Sequence, residues 1–231
     1  MTDWTTLTYV VVDVEGNGQQ PPDLVELAIV PIVGGVIGEP LAWLVKPDHP
    51  IKHIATQFHG LRTSDVADCP TLMDISAEVL AALDADALVA HNAHVDVGVL
   101  GRELPGWQVP EVFDTLRLAR RLVPGLLGYK LGDLVERFKL AEGLPNELKP
   151  HRATYDALVT ARLFVHLATQ AASLEELRGQ PPKSDDDKAA GEDASTLFQA
   201  VPRFVRQRGR AERCGQVDHR GAPGSTAGGQ R

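Results

Sequence analysis

Two carboxylates, Asp13 and Glu15, stand where they could hold divalent cations. They follow an apolar run at residues 7–12 and come just before a glycine-rich turn at residues 16–18. In a strand, residues two apart point to the same side, and two neighbouring carboxylates repel each other unless a cation or a proton lies between them. The D-x-E pattern alone, however, fits a solvated turn better than a metal site.

Asp96 is a second candidate metal ligand. It ends the pattern H-N-A-x-x-D over residues 91–96, just after a short apolar strand and near the start of a predicted helix. An acidic side chain in the first turn of a helix is also stabilised by the helix dipole. Taken alone, Asp96 fits that ordinary role better than a catalytic one.

Asp156 and His151 make a third candidate group. They share the pattern H-R-A-x-x-D-A over residues 151–157, at the start of the clearest helix in the sequence. Small residues flank Asp156 on its helix face, so the carboxylate faces either a closely packed element or a site. The ordinary interpretation is an exposed helical Asp paired with Arg152 or Arg162, together with a surface histidine.

These groups depend on a sheet and its helices to bring them together. Apolar and β-branched runs predict three strands joined by short hairpins, followed by alternating helices and strands. The predicted strands are residues 7–12, 24–32, 41–45, 87–90 and 109–113, and the predicted helices are residues 72–83, 94–104, 116–122, 131–138 and 152–172. This order predicts a mixed α/β layer fold.

The composition is that of an ordinary globular protein. Of the 231 residues, 43% are hydrophobic and 23% are charged, which excludes collagen-like, coiled-coil and wholly disordered chains. No apolar run approaches the roughly 18 residues of a membrane span, and the N-terminal residues show no export-signal pattern. Two cysteines cannot form a disulfide framework. We therefore expect a cytoplasmic protein that does not contact membranes.

The net charge of −8 argues against general binding to nucleic acid. Residues 1–180 hold 14 basic and 24 acidic residues, whereas residues 181–231 hold nine basic and seven acidic residues. The acidic excess therefore lies in the first 180 residues, where some of it could hold cations. From about residue 179 the hydrophobic pattern ends, and we expect residues 179–231 to be a mostly disordered tail rich in Arg, Gly and Pro.

Taken together, the three patterns resemble the DnaQ-like 3′–5′ exonucleases of the DEDDh branch, a family that includes the proofreading epsilon subunit of bacterial DNA polymerase III. Three motifs in the right order and at compatible separations are far more specific than any one of them. The resemblance spans roughly residues 7–167. It implies an exonuclease domain at residues 1–178 with a ribonuclease H-like α/β fold, a five-stranded mixed sheet flanked by helices.

The resemblance also implies a metal-dependent mechanism. Asp13, Glu15, Asp96 and Asp156 would bind two divalent cations, Mg²⁺ or Mn²⁺, and His151 would be the general base. Two hard cations about 3.5–4 Å apart can activate a water and stabilise the leaving 3′ oxygen, and they prefer oxygen ligands. A neutral histidine, with a reference pKa of about 6.5, can take the proton of the attacking water. The catalytic residues would be His151 and Glu15.

Several residues around this centre are expected to contact the substrate. Where relatives carry hydroxyl residues after the first Glu, this chain has the sequence G-N-G at residues 16–18, which still allows hydrogen bonding and close backbone approach. Phe58 belongs to a segment whose family counterpart approaches the terminal bases, although it fits a core position equally well. The predicted substrate-binding residues are Gly16, Asn17, Gly18, Phe58, His59 and Asn92.

The predicted activity is release of nucleoside monophosphates from the 3′ end of DNA, in proofreading or repair. Two alternatives stay open: the same chemistry on RNA ends, and a non-catalytic nucleic-acid-binding or assembly module of the same fold. Only 5% of the residues are aromatic, although base stacking is worth about 1–3 kcal/mol per base, so we expect a short substrate or a partner. The C-terminal tail could contact a polymerase or repair partner, or have no function.

Overall fold

One mixed β-sheet organises the protein, which a computed structural model describes over residues 3–179. The strands are β1 (Thr8–Gly16), β2 (Leu24–Val33), β3 (Val36–Ile37), β4 (Leu41–Leu44), β5 (Ala87–Ala90) and β6 (Glu111–Asp114). The helices are α1 (His53–His59), α2 (Ser76–Ala82), α3 (His94–Glu103), α4 (Thr115–Leu122), α5 (Leu131–Phe138), α6 (Ala153–Ala168) and α7 (Leu174–Leu177). The predicted disordered tail and its predicted partner contacts lie outside the described residues, apart from Gly179.

The sheet order is β3-β2-β1-β5-β6, with β4 also paired to β2. β1 is antiparallel to β2 and parallel to β5, and β5 is parallel to β6. The expected mixed α/β fold is confirmed, with six strands where the resemblance implied five. The extra strand arises because two short strands share one edge of β2: β4 pairs with its first half, as in Ala28↔Ala42, and β3 pairs with its end, as in Val33↔Val36.

Helices cover both faces of the sheet, which explains why the apolar run in β1 is continuous. Tyr9 and Val11 point to one face and belong to a core that includes Phe164 of α6. Val10 and Val12 point to the opposite face and pack in the core formed with α2 and α3. A strand buried on both faces carries apolar residues at successive positions rather than at alternate ones.

The element boundaries differ from the prediction mainly where polar residues lie within an element. The strand predicted for residues 7–12 continues to Gly16, because antiparallel pairing with β2 carries it past the two carboxylates. The helix predicted for residues 152–172 starts at Ala153 and ends at Ala168, and α1 was not predicted. Within residues 3–179, no helix is both long enough and apolar enough to cross a membrane.

Candidate active site

Three carboxylates from distant parts of the chain converge near the end of β1. One ligand oxygen each of Asp13, Glu15 and Asp156 lies within 4.8 Å of the other two. Asp13 and Glu15 share one side of β1 because they are two residues apart. Asp156 joins them because α6 packs across β1 and β2 and carries Asp156 in its first turn. A group made of oxygen donors suits hard divalent cations.

Asp96 lies beside this three-carboxylate group. It is 5% exposed, and its Oδ1 accepts a hydrogen bond from the backbone N–H of Val14 at 3.1 Å. Val14 lies between Asp13 and Glu15, so α3 presents Asp96 directly against the strand that carries them. After burial, the charge of Asp96 is the strongest influence that raises the pKa of Asp13. The structure therefore brings the four predicted acidic residues to one place.

Burial raises the pKa of every one of these carboxyl groups, and repulsion from nearby carboxylates adds to the rise. Burial, with repulsion from Asp156 and Glu26, raises the pKa of Glu15 to about 8. Burial raises the pKa of Asp96 to about 7 and that of Asp156 to about 6. Burial and then the Asp96 charge raise the pKa of Asp13 well above its usual range. In the absence of cations, the cluster therefore retains protons near neutral pH.

His151 lies at the rim of the carboxylate cluster, just before α6. Its backbone N–H donates a hydrogen bond to Oδ2 of Asp156 at 3.0 Å, and its φ of 61° is in the left-handed region. The charge of His151 lowers the pKa of Asp156, against the larger rise that burial causes. The ring is also exposed, so a water molecule beside the carboxylates could give it a proton.

A buried ion pair that the sequence did not suggest ties α6 to the sheet. Glu26 of β2 is 1% exposed and lies opposite Glu15 in the register of β1 and β2. Arg152 donates to both of its carboxylate oxygens, from Nε at 2.9 Å and from Nη2 at 2.8 Å. The backbone N–H of Ala153 donates to Oε2 at 3.2 Å. The first residue of α6, Ala153, is thereby fixed against β2 three positions before Asp156.

This pairing argues against the ordinary interpretation of Asp156, in which its carboxylate pairs with Arg152 or Arg162. Arg152 pairs with Glu26 instead, and Arg162 donates to the backbone carbonyls of Leu140 and Glu142. Glu26 carried a signal that the sequence analysis missed, since it is the one charged residue in the apolar segment 24–33. A buried charge inside such a strand requires a partner.

The turn after Glu15 is held together by Asn17, which is completely buried. Its Nδ2 donates to Oδ2 of Asp23 at 2.7 Å and to the carbonyl of His49 at 3.2 Å. Its Oδ1 accepts from the backbone N–H groups of Gln19 and Asp23, both at 3.0 Å. The amide therefore has no group left for a substrate, and we assign Asn17 to organising the turn rather than to the predicted substrate contact.

Packing within the protein accounts for the two glycines of this turn. A Cβ at Gly16 would lie 2.8 Å from the Cβ of Pro22, so the turn has no room for a side chain there. Gly18 has a φ of 79°, a conformation that disfavours residues with side chains. Their predicted contact with substrate stays a prediction, because these constraints explain the glycines without a ligand.

Phe58 and His59, which are neighbours in sequence, occupy very different environments. Phe58 is 60% exposed, which excludes the core position, and its ring meets the His151 ring edge-on with 5.9 Å between centroids. His59 is 5% exposed. Its Nδ1 accepts from the Leu61 N–H at 3.1 Å, which leaves Nε2 to donate to the carbonyl of Gly16 at 3.3 Å. We therefore assign His59 to holding the turn, and Phe58 faces the space beside His151.

Asn92 follows β5, the strand that pairs with β1 in the sheet. It has a φ of 65°, and its backbone N–H donates to Oδ1 of Asp114 at 3.0 Å. This bond holds the segment between β5 and α3 against the end of β6. The side chain of Asn92 is partly exposed, so its predicted contact with substrate stays a prediction.

Comparisons with known sequences agree with this arrangement. The exonuclease family model RNase_T matches residues 10–164. The 3′–5′ exonuclease DinG of Bacillus subtilis (strain 168) is 35% identical over 180 residues, which cover 75% of this chain and 18% of DinG. Exodeoxyribonuclease 10 of Escherichia coli (strain K12) is 35% identical over 175 residues, which cover 74% of this chain and 75% of that protein. This chain therefore spans most of the second relative but less than a fifth of the first.

A comparison with solved structures gives the same picture at the level of the fold. A structure of Exonuclease X in complex with 5′ overhanging duplex DNA matches with a TM-score of 0.62 and 33% sequence identity. The match covers 73% of this chain and 96% of that chain. The six-stranded mixed sheet flanked by helices is thus the architecture of a ribonuclease H-like exonuclease.

Proposed function

Because the chain belongs to the exonuclease family that RNase_T describes, we propose that it removes single nucleotides from the 3′ end of DNA with two divalent cations. The observation that carries this proposal is the approach of Asp13, Glu15 and Asp156 to within 4.8 Å of one another. His151 at the rim of the same cluster adds a group that can accept a proton. The chain is thus a 3′–5′ exonuclease by family, and the substrate and mechanism are the proposed part.

The carboxylate cluster fits divalent cations by its chemistry. It offers carboxylate oxygens, which are the donors that Mg²⁺ and Mn²⁺ prefer. Burial, and then repulsion from nearby carboxylates such as Glu26, raises the pKa of Glu15 and Asp156, and a bound cation would favour their charged forms. Asp13, Glu15 and Asp156 would hold the ions, and Asp96 would complete the set from α3. When bound, two such ions neutralise phosphate charge and make a water more acidic.

The side chains of the protein would position the water and the substrate. The His151 imidazole would accept the proton of the attacking water, while the bond from its backbone N–H to Asp156 keeps the ring at the rim of the cluster. Phe58, exposed beside His151, offers a ring on which the terminal base could stack. Glu26 and Arg152 would act indirectly, as positioning residues, because they fix the helix that carries Asp156.

DNA is the proposed substrate because of two relatives most of whose own length is covered by this chain. Exodeoxyribonuclease 10 shares 75% of its length with it, and Exonuclease X was solved with duplex DNA that carries a 5′ overhang. A 5′ overhang leaves a recessed 3′ end, which is the end that a 3′–5′ exonuclease shortens. Repair or proofreading of DNA 3′ ends is therefore the proposed role.

A direct assay tests the proposal. The purified chain is incubated with 5′-labelled single-stranded DNA, recessed-end duplex DNA and single-stranded RNA, each with Mg²⁺, with Mn²⁺ or with EDTA. We expect stepwise shortening of DNA from the 3′ end, release of nucleoside monophosphates, and no reaction in EDTA or with Asp13→Asn. Faster shortening of RNA would change the substrate to RNA, and no reaction on any end with either metal would refute the enzyme.

A further inference from the structure

A basic segment interrupts the acidic domain close to the carboxylate cluster. Residues 115–130, which form α4 and the loop before α5, contain four basic and no acidic residues, whereas residues 1–180 as a whole contain 14 basic and 24 acidic residues. The four basic residues are all exposed. They are Arg117, Arg120, Arg121 and Lys130. This local positive charge stands out because the rest of the domain would repel a polyanion.

Two of these basic residues line a groove of about 710 Å³, together with an aromatic ring and one acidic residue, Asp133, whose Oδ2 accepts from the backbone N–H of Lys130 at 3.1 Å. The Arg120 guanidinium lies over the Tyr129 ring, 6.0 Å from its centroid. Among residues 3–179, neither Arg120 nor Lys130 has a carboxylate within salt-bridge distance. Leu127 adds a fully exposed apolar side chain to the same groove. Unpaired cations beside an aromatic and an apolar surface form a site suited to nucleotides.

The groove is built into the fold. The Tyr129 hydroxyl donates to the carbonyl of Val123 at 2.9 Å and accepts from the N–H of Leu126 at 3.2 Å. Nε2 of His91 contacts the carbonyl of Tyr129 at 3.2 Å, while Nδ1 of His91 contacts the Thr115 hydroxyl at 2.9 Å. The loop before α5 is therefore fastened both to itself and to the end of β5. Little ordering would be needed when a ligand binds.

The groove and the carboxylate cluster lie along the same edge of the sheet. β1 and β5 pair through Val11↔Val89, so Asp13 and His91, each two residues further on, lie at the same level along the two strands. His91 lines the groove, and α4 begins where β6 ends. Neighbouring strands are about 4.8 Å apart, so the distance from β1 to β6 is about 10 Å. One strand of nucleic acid could therefore reach both places.

We propose that this groove binds the sugar-phosphate backbone of the nucleotides that precede the 3′-terminal nucleotide. The proposal rests on the proposed exonuclease function and adds a second binding region to it. Arg120 and Lys130 would contact phosphates, and Tyr129 and Leu127 would contact a base or a sugar. The contact would favour longer substrates, because a dinucleotide bound at the carboxylates would not extend into the groove.

The test compares Arg120→Gln and Lys130→Gln with Lys139→Gln as the matched control. Each change removes one positive charge, and Lys139 lies at the opposite end of α5 with its side chain 75% exposed. KM is measured on single-stranded DNA of two to about twelve nucleotides. For the wild type and the control we expect KM to fall with length. Each groove variant should raise the KM of the longest substrate about fivefold, the factor of one modest ion pair.

A second measurement distinguishes failure of the groove proposal from failure of the exonuclease proposal. Fluorescence anisotropy with labelled DNA in Ca²⁺ gives Kd as a function of salt, and each groove variant should reduce the slope of log Kd against log salt by about 0.7. If the wild type shortens DNA but the groove variants match the control in both readouts, the groove proposal is wrong and the enzyme stands. If the wild type shortens nothing, the enzyme proposal fails, and the salt slopes alone decide whether the groove binds nucleic acid.

Discussion

At the scale of single residues, the side chains that define the candidate site weaken the fold that carries them. Burial raises the pKa of Asp13, Glu15, Asp96 and Asp156, and repulsion from nearby carboxylates raises each of them further. A sequence selected for stability alone would not place four carboxylates together. Bound cations would resolve this conflict, which agrees with the proposed metal site.

Substitution of one carboxylate should therefore separate activity from stability. In Asp13→Asn, the amide keeps the shape of the side chain and removes a buried charge that Asp96 and Asp156 repel. We expect nucleotide release to fall at least about 100-fold, the scale of losing a catalytic group, while the Tm measured in EDTA at about pH 8 rises. Asp68→Asn, at an exposed position, is the control and should change neither value. A lower Tm for Asp13→Asn would contradict the repulsion argument.

The imidazole of His151 should affect the reaction and leave the carboxylate cluster intact. The bond that links His151 to Asp156 comes from the backbone N–H, and asparagine tolerates the left-handed φ of 61°. His151→Asn should therefore lower kcat about 10²–10⁴-fold, as expected for loss of a general base, with an unchanged rise of Tm on addition of Mn²⁺. Retention of more than a tenth of the wild-type kcat would exclude His151 as the base.

At the scale of elements, the Glu26–Arg152 pair decides where α6 sits relative to β1 and β2. Glu26 is inaccessible to solvent and accepts three hydrogen bonds from the residues at the start of α6. The same helix carries Asp156 into the cluster, and His151 stands in the segment just before that helix. The position of two site residues therefore depends on one ion pair whose members are not among the proposed metal ligands.

Removal of Arg152 should show how much this pair contributes. Arg152→Met leaves Glu26 buried without its counterion, opposite Glu15. Because a third of the Arg152 side chain is exposed, we expect the free energy of unfolding in urea to fall by about 2–3 kcal/mol, somewhat below the cost of breaking a fully buried pair. The double variant Glu26→Gln with Arg152→Met should recover part of this loss. No recovery would mean that Arg152 acts through packing instead of charge.

The elements that the sequence predicted well are those whose pattern is purely local. Residues 87–90 and 131–138 match β5 and α5 at both ends, because polar residues flank the first and helical spacing runs through the second. The three acidic motifs predicted which carboxylates meet. Glu26 could not be assigned in the same way, because its role depends on Arg152, 126 residues further along the chain.

The turn after Glu15 shows what the sequence could not predict. From an amide between two glycines, the sequence analysis predicted that Asn17 would form a hydrogen bond to a substrate. In the structure the amide makes its bonds to Asp23, Gln19 and His49. A sequence shows that a polar group needs partners, but the tertiary fold decides whether those partners are protein or substrate.

At the scale of the whole molecule, the uneven distribution of charge has a functional logic. A net charge of −8 would repel nucleic acid. Part of the acidic excess, however, is concentrated in a cluster suited to cations, and the exposed basic residues of α4 follow β6, two strands away from β1 in the sheet. Bound cations would neutralise the carboxylate cluster, so that a phosphate could lie beside it without repulsion. Binding of DNA should therefore depend on divalent ions as well as on salt.

The stability of the metal-free protein should fall as the pH rises. Glu15, Asp96 and Asp156 have pKa values raised to about 8, 7 and 6, against ordinary values near 4 in the unfolded chain. Between about pH 4 and 8 the folded state therefore holds more protons than the unfolded state, so the free energy of unfolding decreases with pH in that window. Thermal melting in EDTA should show a lower Tm at about pH 8 than at about pH 5.5. Addition of Mn²⁺ should raise Tm more at the higher pH, because fewer protons compete there for the carboxylates. Asp13→Asn should reduce both differences, whereas equal Tm values at the two pH values in EDTA would show that the carboxylates do not lie as close together as the structure places them.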